Sequence, residues 1–237
     1  DIRRDRRTVR LGLEHPESAG WRGEVGVEHA DVDQDLRAGG LTPDAEREEW
    51  AIYAFEQRDV GPVTLQLGAR IDQIIQSAER SAAFDSIDTR ERDYTVATGS
   101  AGLAWAIDEH WTLKGNLGRG FRAPSIFELF ADGVHSGVAA FQKGDPSLTE
   151  ETSLNADLGV NWQGEQVEWS ATIYQNRVND YIYLANTGDT DAGSGLPIYA
   201  ARQDDARLQG IELAGEWQFT RHWTLDGGFD AVRGELD

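Results

Sequence analysis

GRGFRAPSIFELFADGVHSGVAAFQKGDPSLTEETSLNADLGVNW, residues 118–162, decides how the chain is read. On its upstream side Trp111, Leu113 and Leu117 alternate with Thr112, Lys114 and Asn116. At its downstream end Leu154, Ala156, Leu158, Val160 and Trp162 alternate with Ser153, Asn155, Asp157 and Asn161. A period of two over this length specifies extended strands with one apolar face. A long polar loop lies between them.

Moving outward, the same plan recurs. Val9, Leu11 and Leu13 lead through HPESAG to Trp21, Val25 and Val27 as a hairpin. An acidic stretch, Asp31 to Glu49, reads as a long loop before the strand from Trp50 to Gln57. Asp59-Val60-Gly61-Pro62 turns the chain into Val63, Leu65, Leu67, Ala69 and Ile71, opposed by Thr64, Gln66, Gly68, Arg70 and Asp72. Gln73 to about Arg92 reads as a second long loop, followed by a strand with Ala97, Ala101, Leu103, Trp105 and Ile107. Beyond Trp162, a short turn enters Val167, Trp169, Ala171 and Ile173. Asn186 to Leu196 is a third long loop, and a last hairpin carries Ile211, Leu213, Trp217 and Phe219, then Trp223, Leu225 and Phe229.

About ten strands therefore alternate between short and long connections, the grammar of a membrane barrel with short periplasmic turns and long external loops. Trp21, Trp105, Trp111, Trp162, Trp169, Trp217 and Trp223 all flank the short turns, and only Trp50 lies at the far end. An indole favours the headgroup boundary, so this is the periplasmic half of an aromatic girdle. The fold predicted is all-β, an antiparallel up-and-down transmembrane β-barrel segment that does not close by itself, occupying residues 1–237 as one partial domain. A soluble sandwich is the competing architecture, but it has no reason to sort its loops by length.

Bulk properties agree. Mean hydropathy is −0.53 and no apolar run approaches the ~20 residues that a membrane helix requires. Alternation lets a barrel keep such a low average. The net charge of −20 disfavours nucleic acid, whose phosphates demand clustered Lys and Arg, and favours cationic ligands. With no Cys, thiolate and disulfide chemistry are absent. DIRRDRRTVR has no apolar core of a signal peptide and the chain has no Met, from which the expectation is a piece of a larger exported protein.

No nucleophile motif, phosphate loop or paired-cysteine site is present, so the reading is not an enzyme. Gly118 and Gly120 end a strand and enter no amphipathic helix, which removes a nucleotide reading. His29, Asp31 and Asp33 form H-x-D-x-D, three metal-capable groups on one side of an extended chain. They continue the outward face of Val25 and Val27, however, and a solvated acidic loop is the preferred reading. His15, His110 and His222 read as turn residues.

Phe121-Arg122-Ala123-Pro124-Ser125 with Glu128-Leu129-Phe130, followed by Gly144-Asp145-Pro146 and Leu148, resembles the signature of TonB-dependent outer-membrane receptors. Gly61-Pro62-Val63-Thr64-Leu65 and Leu196-Pro197-Ile198-Tyr199 running to Gly210-Ile211-Glu212 also look like strands of that family. The resemblance implies the outer membrane of a Gram-negative bacterium, a barrel of about 22 strands, contact with outer-membrane lipid, and energy from the TonB complex through an N-terminal region outside this chain. It implies ligand capture and transport without covalent chemistry and with no resident cofactor. Glu128, Leu129, Ala131, Asp132, Gly133 and His135 are similar to a motif of the zinc-uptake branch. On that resemblance the cargo is Zn2+, with an imidazole from His135 and a carboxylate from Asp132 or Glu128, a donor mixture that zinc accepts. The alternatives are haem or an iron–siderophore as cargo, an exposed loop histidine at position 135, and a passive porin, adhesin or outer-membrane enzyme in place of a receptor.

Overall fold

The computed structural model describes residues 2–36, 40–79 and 90–236. Its elements are β1 (Ile2–Ser18), β2 (Trp21–Leu36), β3 (Ala45–Val60), β4 (Val63–Ala78), β5 (Glu91–Ala106) and β6 (Trp111–Arg122), then α1 (Ile126–Phe130), β7 (Asp132–His135) and β8 (Ala140–Lys143), then β9 (Glu151–Gln163), β10 (Val167–Thr190), β11 (Pro197–Thr220) and β12 (Trp223–Leu236). The ten long strands run up and down, each antiparallel to the next, with β9 beside β6. All twelve strands belong to one sheet. No helix among the described residues is long and apolar enough to cross a membrane, which bears only on helical spans.

Register follows the side-chain alternation. Leu67 faces Ala101, Ala101 faces Leu117 and Leu117 faces Ala156. Further round, Leu113 faces Val160, Val160 faces Ala171 and Ala171 faces Leu213. Directly paired residues share a face, so these rows make one continuous apolar outer surface. A one-residue slip in any strand would turn that strand's apolar set inward. Leu67, Leu117, Leu158, Ile173 and Leu213 are all exposed on it, at positions where only lipid supplies a matching environment.

Tryptophans cluster where the short turns are. Trp162 pairs with both Trp111 and Trp169, and the Trp111 and Trp169 rings meet edge to face at 5.5 Å. In the turn before Trp111, the backbone N–H groups of His110 and Trp111 donate to Asp108 at 2.8 Å each and hold its carboxyl below the usual range. That short turn sets the level at which the indole enters the strand.

Near the short turns the outer face carries charge on β3. Glu56 and Arg58 share the face of Ile52 and Ala54, opposite Leu67 and Leu65. Both are partnered near the short turns: His15 Nε2 lies 3.0 Å from Glu56, and the Arg58 guanidinium sits 5.7 Å above the Trp21 ring. His15 is therefore a residue of β1, not of a turn.

The strands are longer than the alternation of apolar residues alone predicts. Most of the acidic stretch from Asp31 to Glu49 is strand, because β2 continues to Leu36 and β3 begins at Ala45; residues 37–39 lie outside the described residues. Similarly β4 reaches Ala78 and β5 starts at Glu91, with 80–89 of the predicted second loop outside the described residues. β10 runs on to Thr190. The reason lies on the inner face, where Ala30, Val32, Ala45, Ile74, Gln76, Ala78, Tyr94 and Val96 are buried. The segment between β6 and β9 packs on Ala45, Ala78, Ile74, Gln76, Tyr94 and Val96 of this set.

Candidate functional site

Residues 123–150 do not stand away from the sheet as an external loop; they fold over its inner face. Ile126, Leu129 and Phe130 of α1, with Leu148, form one buried cluster with Ala45 and Ala78 of β3 and β4 and with Ile182 and Ala201 of β10 and β11. The segment thus bridges strands far apart in the sheet. Each large side chain so buried contributes about 1.5–3 kcal/mol, enough to hold a short helix that could not exist alone.

The signature residues build this cap. Arg122, last residue of β6, donates from Nη1 to Glu128 at 2.7 and 3.0 Å and from Nη2 to Glu151 at 2.8 Å. Glu151 also accepts the Ile182 N–H at 3.2 Å, which ties the cap to β10. Ser125 and Glu128 form a reciprocal capping box at the start of α1, a pattern visible in the sequence as S-x-x-E. Pro124 is fully buried, and its carbonyl accepts from the equally buried Gln76 amide at 2.9 Å. The Leu148 carbonyl accepts from Arg92 at 3.0 Å and from the Tyr94 hydroxyl at 3.2 Å. Buried backbone groups of an irregular segment need such partners.

Gly144 of the Gly-Asp-Pro stretch lies against the end of α1, its N–H donating to Ala131 O at 2.6 Å. A Cβ there would stand 2.6 Å from the Leu129 carbonyl carbon, so the glycine is demanded by backbone contact. The following Asp145 accepts from the Ser147 N–H and hydroxyl at 2.8 and 2.6 Å and rounds the turn towards Leu148.

After α1 the cap forms a hairpin that the sequence reading did not contain. β7 and β8 pair antiparallel from Asp132–Lys143 to His135–Ala140, and β8 then lies parallel to β11 along Ile198–Ala200. β12 occupies the same edge of β11 from Ala206 to Thr220, so the cap extends the sheet above it. Four-residue strands leave too little periodicity to read from sequence. Asp132 donates its N–H to Leu41 O at 2.9 Å, and Gly133 packs so tightly on Gly40 that a Cβ would lie 2.3 Å from its carbonyl oxygen.

Of the predicted metal donors, Glu128 has both carboxylate oxygens engaged by Arg122 and by the Ser125 N–H. Asp132 and His135 stand at opposite ends of β7. The His135 Nδ1 is buried with no hydrogen-bond partner. Among the described residues no group of three or more His, Cys, Asp or Glu is arranged to hold a metal ion. His29 lies 4.2 Å from the Trp50 ring, tilted by 30°, and contacts Asp31 at 3.1 Å, while its Nδ1 is buried without a partner; H-x-D-x-D belongs to β2 and not to the loop expected there.

Below the cap, the inner face of β1 to β4 carries a charged lattice that sequence reasoning missed. Arg10 and Arg70 both donate to Glu28, Arg70 reaching Oε1 at 3.2 Å, and Arg70 Nε grips Asp72 at 2.8 and 3.0 Å. Tyr53 donates to Glu24 beside them. Glu28 and Asp72 are only 8% and 6% exposed, which requires that both be paired. The signal was the polar parity of Arg70 and Asp72; their partners on β1 and β2 needed the register.

An antiparallel wall with an apolar belt outside, a charged lattice inside and an inward-folded loop across its upper face is the architecture of part of an outer-membrane β-barrel. The model of the "TonB dependent receptor-like, beta-barrel" family matches residues 3–235, and the chain belongs to that family. It is a family of receptors in the outer membrane of Gram-negative bacteria, not of enzymes. Heme/hemopexin utilization protein C of Haemophilus influenzae (strain 86-028NP) is 29% identical over 176 residues, 65% of this chain and 24% of that protein. Vitamin B12 transporter BtuB of Photobacterium profundum is 28% identical over 163 residues, 68% of this chain and 24% of that protein. The match thus spans about a quarter of the length of these curated relatives. Among solved structures, the copper transporter OprC superposes with a TM-score of 0.79 over 99% of this chain and 38% of its own, at 19% identity. The Serratia marcescens hemophore receptor HasR gives 0.77 over 98% and 42%, at 18% identity. These structural likenesses establish the fold.

Proposed function

We propose that the chain is part of the barrel wall, with the lumenal cap, of a TonB-energised receptor that imports a metal-bearing cargo, haem or an iron chelate in the first place. The observation that carries this reading is the cap itself. A segment buried through Leu129 and Phe130 and bridging β4 to β11 suits a lumen closed at rest and opened by work, not a freely diffusing pore. The names of the haem and hemopexin relatives support the choice of cargo. TonB contact would lie in a part of the parent protein outside this chain.

The test is growth of a strain whose sole iron source is haem, carrying the intact parent receptor. Growth should require both the receptor and TonB. Growth that persists when TonB is deleted would overturn the energised reading, and growth without the receptor would overturn the cargo.

Bare Zn2+ is a second reading, favoured by the unpartnered His135 Nδ1. Zinc held by His135 with Asp132 or Glu128 would require Glu128 to leave Arg122, and further donors from outside this chain. Calorimetric titration of the intact parent with zinc, wild type against His135→Ala, separates the cargoes. Equal affinity in both proteins would remove His135 from any zinc site.

A further inference from the structure

The upper lumenal wall carries a cluster of cations that neither the cap nor the charged lattice uses. Alternation along β1 places Arg4 and Arg6 on the inner face, where Arg6 opposes the buried Val32 and Arg4 opposes Gln34. Val32 in turn opposes Arg47 on β3. Directly paired residues share a face, so Arg6 and Arg47 stand in one row two strands apart, with Arg4 one inner position above.

Glu46 and Glu48, the outward neighbours of Arg47, are exposed and charged, which puts this level above the lipid. The cap begins one row further up, on Ala45 and Ala78. The cluster therefore lies beside the cap. The Arg6 side chain is 42% exposed and within reach of a ligand, whereas that of Arg47, at 23%, backs it from the wall.

Donors outnumber acceptors here. Glu49 is the carboxylate shared by Arg6, at 3.0 Å, and Arg47, at 2.6 Å. Arg4 has no ion pair among the described residues. Lower on the wall, Glu28 and Asp72 are held by Arg10 and Arg70. Burial pushes the Arg47 guanidinium below its ordinary value; Glu49 opposes this, and repulsion from Arg4 and Arg6 adds to it. The buried Gln34 amide nitrogen, opposite Arg4, has no acceptor either. Three guanidinium groups and an amide against one carboxylate leave a surplus of positive charge, although the chain as a whole carries −20. A wall of one sign draws in ligands of the other. Guanidinium forks match carboxylates in shape as well as charge.

We infer that Arg4, Arg6 and Arg47, with the Gln34 amide, form a lumenal subsite beside the cap that receives the carboxylates of an anionic metal chelate. The inference rests on the metal-bearing cargo proposed above and narrows it to a chelate with free carboxylates, in preference to a neutral one.

The test uses the full-length receptor in neutral detergent, titrated with haem and with haem dimethyl ester, which keeps the iron and the ring but lacks the ionised propionates. Absorbance reads both titrations. Wild type should bind haem roughly tenfold or more tighter than the ester, and R4Q/R6Q should lose that difference. Arg3→Gln, the neighbouring residue on the outer face of β1, should keep it. Added salt should reduce the preference, since Arg6 is exposed. Heat-dependent gel migration verifies that each barrel is folded, and R6Q alone serves if the double variant fails to assemble. Equal binding of haem and ester by wild type, or an undiminished preference in a folded R4Q/R6Q or R6Q barrel, would overturn the subsite and leave haem as cargo. If wild type binds neither, the haem reading falls instead and ferric citrate decides the subsite. Retention of ferric citrate by wild type, weakened roughly tenfold in R4Q/R6Q, supports it; equal retention, or none, overturns it.

Discussion

At the scale of single residues, the family signature is a set of structural demands. Arg122 supplies a fork that joins α1 to β9, Ser125 and Glu128 cap one helical turn, and Gly144 lets two backbones touch. Gly144→Ala would put a methyl group against the Leu129 carbonyl, and neither backbone has room to yield. The cap should detach while the barrel still assembles. Limited proteolysis of the intact receptor should then cut within residues 123–150 of the variant and spare wild type; equal resistance would show that the contact relaxes. The capping box and the Gly-Asp-Pro turn have local signatures, but the stretch reads only as a long loop carrying the family motif. The partners Gln76, Arg92 and Tyr94 are not legible, since they belong to β4 and β5, and only the fold brings them to the cap.

At the scale of elements, period-two alternation located every long strand and, except in β3, its lipid face, and it failed at the ends. Ala30 and Val32 still alternate with His29, Asp31 and Asp33, yet charge on the outer residues made that stretch look like a loop. Once a strand rises above the membrane its outer face turns polar, while the inner face stays apolar wherever the cap covers it. Composition averages the two. Within the membrane the faces are distinct, and Leu67 on the outside adjoins Gln66 on the inside. Leu67→Arg should cost about 2–4 kcal/mol near mid-membrane and slow assembly, whereas Gln66→Arg, facing the interior, should leave it near wild type. The fraction of heat-modifiable folded barrel after refolding into phosphatidylcholine vesicles measures both. Similar yields for the two variants would contradict the assignment of faces.

At the scale of the whole molecule, exposed apolar residues and tryptophan placement make one statement about depth. The large side chains on the outer face form a belt bounded below by seven indoles. A soluble protein rarely leaves so wide an apolar surface uncovered. The belt therefore requires lipid or detergent, and its lower edge should lie at the headgroup boundary. Quenchers placed at graded depths in the bilayer can locate that edge in the intact receptor. Trp111, Trp162 and Trp169 pack together, so they should respond as one group, quenched most by shallow labels and least by labels at the bilayer centre. Trp111→Phe should reduce the shallow signal without altering its depth. Strongest quenching from the centre would mean that the short turns sit deeper than a barrel rim, and that the strand register has been matched to the wrong height.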